Sequence, residues 1–175
     1  MRARLLLWLI SLVAIATPAS AAPRRIQLSP PTSEVGFRAY GLGLLPLDGR
    51  FTRFGGWLTY DPDDHATCQV ELRADVASLI TENPSVRDTV VGPDFMHAAS
   101  FPSLDYAGTC QERGIGGMLG MHGVTRPFEL SLTWSQGEVA AEGRLRRADW
   151  GMTAMPVLGG RTVRIRVTVP LPGAS

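Results

Sequence analysis

A chain of 175 residues is long enough for one domain with its own core, and 17 basic against 16 acidic residues leaves no basic surplus for nucleic acid. Every basic residue is arginine, which excludes lysine Schiff-base chemistry and a phosphate-binding P-loop.

The first stretch reads as an export signal. Arg2 and Arg4 precede an apolar run from Leu5 to Ala16 broken only by Ser11, and Ala19-Ser20-Ala21 supplies a small-residue cleavage site. The run is too short to cross a bilayer as a helix, and no cysteine follows it to take a lipid anchor. Residues 1–21 are therefore expected to be a cleaved signal peptide and the mature chain to be exported. Loss of Arg2 and Arg4 turns the formal charge from +1 to −1.

Residues 22–32, rich in proline and polar groups, are expected to form a flexible leader before a single domain over residues 33–172. Val35, Phe37 and Ala39 alternate along a first strand over residues 33–40, and residues 41–49 read as a loop. A second strand over 51–60 contains Gly55-Gly56, which predicts a bulge. Asp61-Pro62-Asp63-Asp64 is a turn, and a third strand covers 67–79.

The alternation then stops. Asn83-Pro84 reads as a helix N-cap with proline in the first helical position. Val86, Val90 and Val91 share one side of a short helix, and Gly92-Pro93 ends it. Asp94-Phe95-Met96 is a further turn, so residues 81–102 are expected to form a helical flap between two strands, with Val86, Val90 and Phe95 facing inward. Further strands follow over 103–111, 115–121, 126–134, 139–145 and 162–171, the last with Val163, Ile165, Val167, Val169 and Leu171 on one face.

In an exported chain the two cysteines predict a disulfide. If the strands flanking the flap pair antiparallel with Cys68 opposite Cys110, Leu72 faces Tyr106 and Val76 faces Pro102, a self-consistent register. About eight one-sided strands with short turns point to an all-β protein, an antiparallel barrel whose closure removes exposed edges, with a sandwich as the alternative. Ala74, Gly108, Ala141 and Gly143 on the inward faces suggest unfilled space and hence an apolar lumen.

Catalytic signatures are thin. There is no G-x-S-x-G, no H-E-x-x-H and no complete G-x-G-x-x-G. His65, His97 and His122 fit no metal-ligand spacing, and neither a metal nor a cofactor is expected. Arg87-Asp88 and the run Arg147-Ala148-Asp149-Trp150-Gly151 are open to two readings: a base with an anion clamp, or bonded pairs that fix the flap and a strand-end turn.

Several of these motifs also carry a resemblance. Thr81-Glu82-Asn83 with Arg87-Asp88, Asp94-Phe95 and Phe101-Pro102 resembles the middle signature of the YceI-like family of periplasmic, lipocalin-like proteins. Leu119 through Pro127, including His122 and Arg126, is similar to that family's hairpin motif, and Arg147 through Gly151 to its late motif. Val35-Gly36-Phe37 and Gly49-Arg50-Phe51 up to Gly56 match its start, so the resemblance spans nearly all of the mature chain.

The resemblance implies an eight-stranded antiparallel barrel holding a polyisoprenoid chain, such as a prenyl quinone tail, in its lumen, as a carrier or store without enzymatic activity. Expected lining residues are Phe37, Leu72, Tyr106, Phe128, Leu130, Leu132 and Val167, with Phe95 at the mouth; each also fits a core role. Arg87, Asp88, Arg126, Arg147 and Asp149 are expected to be structural. Two other functions stay open: a small exported enzyme using Asp88, Asp149 or His122, and a filled barrel serving as a stress-response interaction module. The expected partner is a long-chain isoprenoid lipid, with transient membrane contact and dimerisation left open.

Overall fold

Period-two alternation of apolar and polar residues dominates the chain, and it forms strands almost throughout. The structure, a computed structural model, describes residues 22–41, 45–64, 66–155 and 160–171. The expected signal peptide and His65 lie outside the described residues.

The strands are β1 (Arg24–Leu28), β2 (Glu34–Gly41), β3 (Leu45–Phe51), β4 (Phe54–Tyr60), β5 (Cys68–Asp75) and β6 (Leu79–Thr81). After helix α1 (Pro84–Val91) come β7 (Ser103–Gln111), β8 (Gly114–Met121), β9 (Val124–Ser135), β10 (Glu138–Arg146) and β11 (Thr162–Pro170). Short 3-10 turns occupy Val76–Ser78 and Arg147–Trp150. All eleven strands belong to one sheet in the order β1-β4-β5-β7-β8-β9-β10-β11-β2-β3-β6, and every neighbouring pair is antiparallel.

The sheet curls because the chain itself joins its ends. Only Thr52 and Arg53 separate β3 from β4, and only Val76–Ser78 separates β5 from β6. Since β4 pairs with β5 while β3 pairs with β6, the β2-β3-β6 end of the order is brought back beside the β1-β4-β5 end. The apolar faces then turn inward around one core, in which Leu28, Val76, Leu79 and Leu119 are fully buried.

Among the described residues eleven strands replace the expected eight, and the kinks that split the longer runs have a common cause. Thr52 donates to the Ser78 carbonyl through both its amide and its hydroxyl, at 3.2 and 2.9 Å. The Ser78 hydroxyl donates to the Asp75 carbonyl at 2.7 Å and accepts from the Arg53 amide at 3.0 Å. Asp75 caps the turn by accepting from the Ala77 amide at 2.8 Å, and its hydrogen bond from Arg53 holds its carboxyl below the ordinary carboxylate range. Two bends thus lock into each other.

Three local expectations are corrected. The bulge at Gly55-Gly56 is absent: both residues pair in regular register with Arg73 and Leu72, and the irregularity sits at Thr52-Arg53 instead. Residues 45–49, expected in a loop, belong to β3. The flexible leader over 22–32 contains β1, which pairs with β4 and buries Ile26 and Leu28.

The cysteine register is as expected. Cys68 and Cys110 are disulfide-bonded, Leu72 pairs with Tyr106, and the Val76 amide donates to the Pro102 carbonyl at 2.9 Å. The flap also forms where the pattern breaks: the Asn83 side chain accepts from the Ser85 amide at 2.9 Å, Pro84 opens α1 and Gly92 closes it. His122 and Gly123, with φ of 51° and 73°, form the two-residue turn between β8 and β9.

Candidate functional site

The inward faces of β2, β5 and β7–β11 do not meet at one end of the curled sheet. They leave an apolar cavity of about 360 Å³, covered by α1 and by the turn that follows it. That is the lower end of the roughly 300–1,000 Å³ of small-molecule sites. Phe37, Leu72, Phe95, Tyr106, Phe128, Leu130 and Val167 all line it. Leu132 does not; it faces a separate space of about 40 Å³ at the opposite end, with Cys68, Trp134, Val139 and Val169. Leu72, Tyr106, Leu130 and Val167 border both spaces and form the floor between them.

Several wall residues were not singled out from the sequence. Leu119 and Met121 sit on the inward face of β8, Leu145 on β10, and Val163 and Ile165 on β11. Period-two alternation in those strands was the signal that could have found them. Met152 and Met155, in an irregular segment, carried no such signal.

The inward glycines do not make the room that was expected of them. A side-chain carbon at Gly108 would meet the Tyr106 hydroxyl, and one at Gly143 would strike the Phe128 ring. The glycines seat aromatic rings, which pack edge-on at 6.3 Å between centroids. The Tyr106 hydroxyl donates toward the carbonyls of Ile115 and Phe128, at 3.3 and 3.2 Å, and burial pushes its pKa up to about 12.

The lid is held by arginines. Arg87 on α1 donates to the carbonyls of Ala77 at 2.8 Å and Leu79 at 3.2 Å and pairs with Asp88 at 2.9 Å, so the helix is tied back to the 3-10 turn and β6. Val86 and Val90 face the cavity from α1, as expected, and Phe95 closes over it, 7% exposed.

Arg147, only 5% exposed, donates to the carbonyls of Gly160, Met152, Ala154 and Met155. Its guanidinium lies 4.8 Å from the centroid of the Phe95 ring. Burial lowers its pKa from the ordinary arginine value, but an arginine stays cationic at neutral pH. With its donors engaged by carbonyls, Arg147 fastens the segment after the Arg147–Trp150 turn beneath the lid.

The remaining polar candidates are dispersed. Asp149 lies in that turn, half-exposed, and Arg126 is exposed on β9 opposite Leu119. His122 packs against Phe101 with the rings tilted by 58° and centroids 4.9 Å apart, and its Nδ1 lies 3.0 Å from the Trp150 carbonyl. His97 meets the Ser100 hydroxyl at 3.0 Å, and Asp88 is engaged by Arg87. Among the described residues no three of His, Cys, Asp and Glu gather as metal ligands would.

Of the described lining residues only Ser85, Thr89 and Met155 are exposed, which places the mouth between α1 and Met155. The cavity offers hydrophobic surface inside and two hydroxyls at its entrance.

The model of the YceI-like domain matches residues 27–171. A UPF0312 protein of Vibrio cholerae is 24% identical over 163 residues, covering 84% of this chain and 86% of its own. Protein YceI of Salmonella arizonae is 27% identical over 160 residues, covering 83% and 84%. Among solved structures, Burkholderia cenocepacia BcnA superposes with a TM-score of 0.65 at 17% identity, over 78% of this chain and 94% of that one. A polyisoprenoid binding domain from Saccharophagus degradans gives 0.55 at 14% identity, over 78% and 91%.

Proposed function

This chain belongs to the YceI-like family, and on that footing we propose that it binds the apolar tail of a polyisoprenoid lipid, such as a prenyl quinone, and carries or stores it. The observation that carries this reading is the lidded cavity of about 360 Å³, walled almost wholly by apolar side chains. Among the described wall residues Arg147 alone is charged, and its donors turn to backbone carbonyls, so the interior favours a hydrocarbon chain over a polar group. The description of the Saccharophagus degradans domain as polyisoprenoid binding supports the same ligand class.

Energetics favour such a guest. At about 0.8 kcal/mol per buried methylene, each five-carbon unit contributes several kcal/mol gross. A wall formed in advance keeps the ordering cost of binding low. In this reading the curled sheet works as a lipocalin-like barrel, the head group stays near Ser85 and Thr89, and residues 1–21 direct export to the periplasm.

Protein purified without detergent, extracted with organic solvent and examined by mass spectrometry should yield a polyisoprenoid. Substitution of Val163, which lines the cavity, by tryptophan should abolish prenyl quinone uptake while the circular dichroism spectrum is kept. An empty native protein that also takes up no prenyl quinone would overturn the reading. The N-terminal sequence of the exported protein, expected to begin at Ala22, tests the localisation.

A further inference from the structure

The outer wall beside the mouth carries a charge pattern that the fold itself does not need. In the strand register Arg164 of β11 lies opposite Arg144 of β10 on one side and opposite Arg38 of β2 on the other. Since Leu145, Val163 and Ile165 face the cavity, alternation puts the three arginines on the outside at the level of its upper wall. Like charges directly opposite one another weaken a sheet.

Only Arg38 is compensated, by Asp48 at 2.6 and 2.8 Å. Among the described residues Arg144 and Arg164 meet no carboxylate, nor do Arg146, two residues on in β10, and Arg161, exposed just before β11. Tyr40, outward on β2 and next but one to Arg38, is 40% exposed. Two exposed apolar side chains stand at the end of these strands: Leu45, 60% exposed, opposite Gly41, and Met155, 45% exposed and part of the cavity wall.

The whole sequence is nearly neutral, so this is separation of charge rather than surplus. Asp61, Asp63 and Asp64 lie in the turn before the disulfide strand β5, at the far end, and Glu82, Asp88 and Asp94 lie on the flap side of the mouth. On this side Glu129 and Asp149 share an outer groove with Arg144, Arg146 and Arg164, and Glu142 there pairs with Arg166 at 3.5 Å, so arginines outnumber carboxylates beside a tyrosine and apolar tips. That combination suits the head-group layer of an anionic membrane, where basic residues meet phosphates and an aromatic ring sits at the interface.

We propose that Arg38, Arg144, Arg146, Arg161 and Arg164, with Tyr40, dock the mouth of the cavity onto an anionic phospholipid surface. The docked face is the β2-β11-β10 wall, and the acidic flap is held away from the lipid. The biological purpose rests on the carrier reading, since a tail lipid must be collected from or delivered to a bilayer; the contact itself does not depend on a loaded cavity.

Flotation with vesicles of phosphatidylcholine mixed with phosphatidylglycerol, free of isoprenoid, tests this separately from ligand binding. The protein should float with the mixed vesicles, not with pure phosphatidylcholine, and binding should fall as salt rises. Arg164→Gln should weaken it about fivefold, the equivalent of ~1 kcal/mol per basic residue at a charged surface, and the triple variant R144Q/R161Q/R164Q about a hundredfold. Arg113→Gln, exposed in the turn between β7 and β8 at the disulfide end, should change it less than about twofold. The triple variant should have a thermal midpoint equal to or above that of the wild type, since facing like charges are removed, and should keep prenyl quinone uptake. Equal flotation on both vesicle types, an Arg113→Gln loss matching that of Arg164→Gln, or binding to soluble polyphosphate without flotation would overturn the proposal.

Discussion

The two ends of the curled sheet have the same wall and opposite interiors. At the disulfide end Tyr60 and Trp134 pack with ring centroids 5.6 Å apart, Leu28, Val139 and Val169 are buried, and only about 40 Å³ stays unfilled. At the other end the space is about 360 Å³ and the cover is α1, which contains no buried residue. Alternation alone does not decide which end is hollow; the cross-strand fillers do. The first end is built by strand pairing and a covalent staple, whereas the second is closed by a helix tied through Arg87 to the backbone carbonyls of Ala77 and Leu79. Stability should therefore reside mainly at the first end and exchange with the surroundings at the second.

Removing the staple tests this division most strongly. The two cysteines are separated by 42 positions in sequence. Chain-entropy reasoning for a loop of that size gives about 4 kcal/mol of stabilisation. The double variant C68S/C110S should lose about that much in urea denaturation while prenyl quinone uptake by the folded protein stays unchanged. Lost uptake at temperatures where the variant is folded would show that the two ends are not independent.

Arg147 is the counterpart at the mouth. Replacing it by methionine leaves the carbonyls of Met152, Ala154 and Gly160 without their donor and removes the cation beneath Phe95. The expected loss is about 3 kcal/mol, because unpaired buried polar groups cost about 1–3 kcal/mol each and some carbonyls will rehydrate. Unlike the cysteine variant, Arg147→Met should also impair ligand retention. Lysine should not rescue it, since a point charge cannot reach the several carbonyls that the guanidinium fork does.

How much of this contrast is legible in the sequence depends on whether a signal is periodic. The register of Cys68 with Cys110 and of Leu72 with Tyr106 follows from alternation, because a one-residue slip would turn either strand inside out. The Asn83 cap and Pro84 announce α1 locally. The kinks at Thr52-Arg53 and Val76–Ser78 are not announced, since they rest on hydrogen bonds between segments about 25 residues apart. β1 is hidden by Pro23 and Pro30-Pro31, which give its surroundings the composition of a linker although Ile26 and Leu28 alternate correctly.

The cavity itself does not arise from the small inward residues. Gly108 and Gly143 suggested empty volume, yet Tyr106 and Phe128 occupy it, and the hollow lies farther toward α1. A glycine shows where bulk is absent from its own position, not what leans over it. Leu132 has the right inward parity, but its level along the sheet belongs to the filled end and not to the expected lining. Parity is encoded in sequence; level depends on how far each strand is shifted against its neighbour.

Tyr106, in the floor between the two spaces, gives a pH-dependent test. Burial raises its pKa to about 12 in the folded protein, against about 10 for an unperturbed tyrosine. A folded pKa above the unfolded one means that the contribution is whole below about pH 10 and is lost as pH rises toward 12. Tyr106→Phe should cost about 1 kcal/mol at neutral pH, through the lost hydrogen bond, and should remove that alkaline decline. If the wild type and the variant decline in parallel between those pH values, the Tyr106 hydroxyl is wetter than the floor position implies.

The smallest effect isolates the lid. Asn83 caps α1 through the Ser85 amide, and its replacement by alanine should cost the helix about 1 kcal/mol. Because no residue of α1 is buried, this loss should register as local opening: amide exchange in residues 85–91 about fivefold faster, with the denaturation midpoint nearly unmoved. Release of bound prenyl quinone should accelerate by a similar factor if opening of α1 limits exit. Faster amide exchange with unchanged release would mean that the ligand leaves past Met155 instead, and would assign control of the mouth to the Arg147 segment.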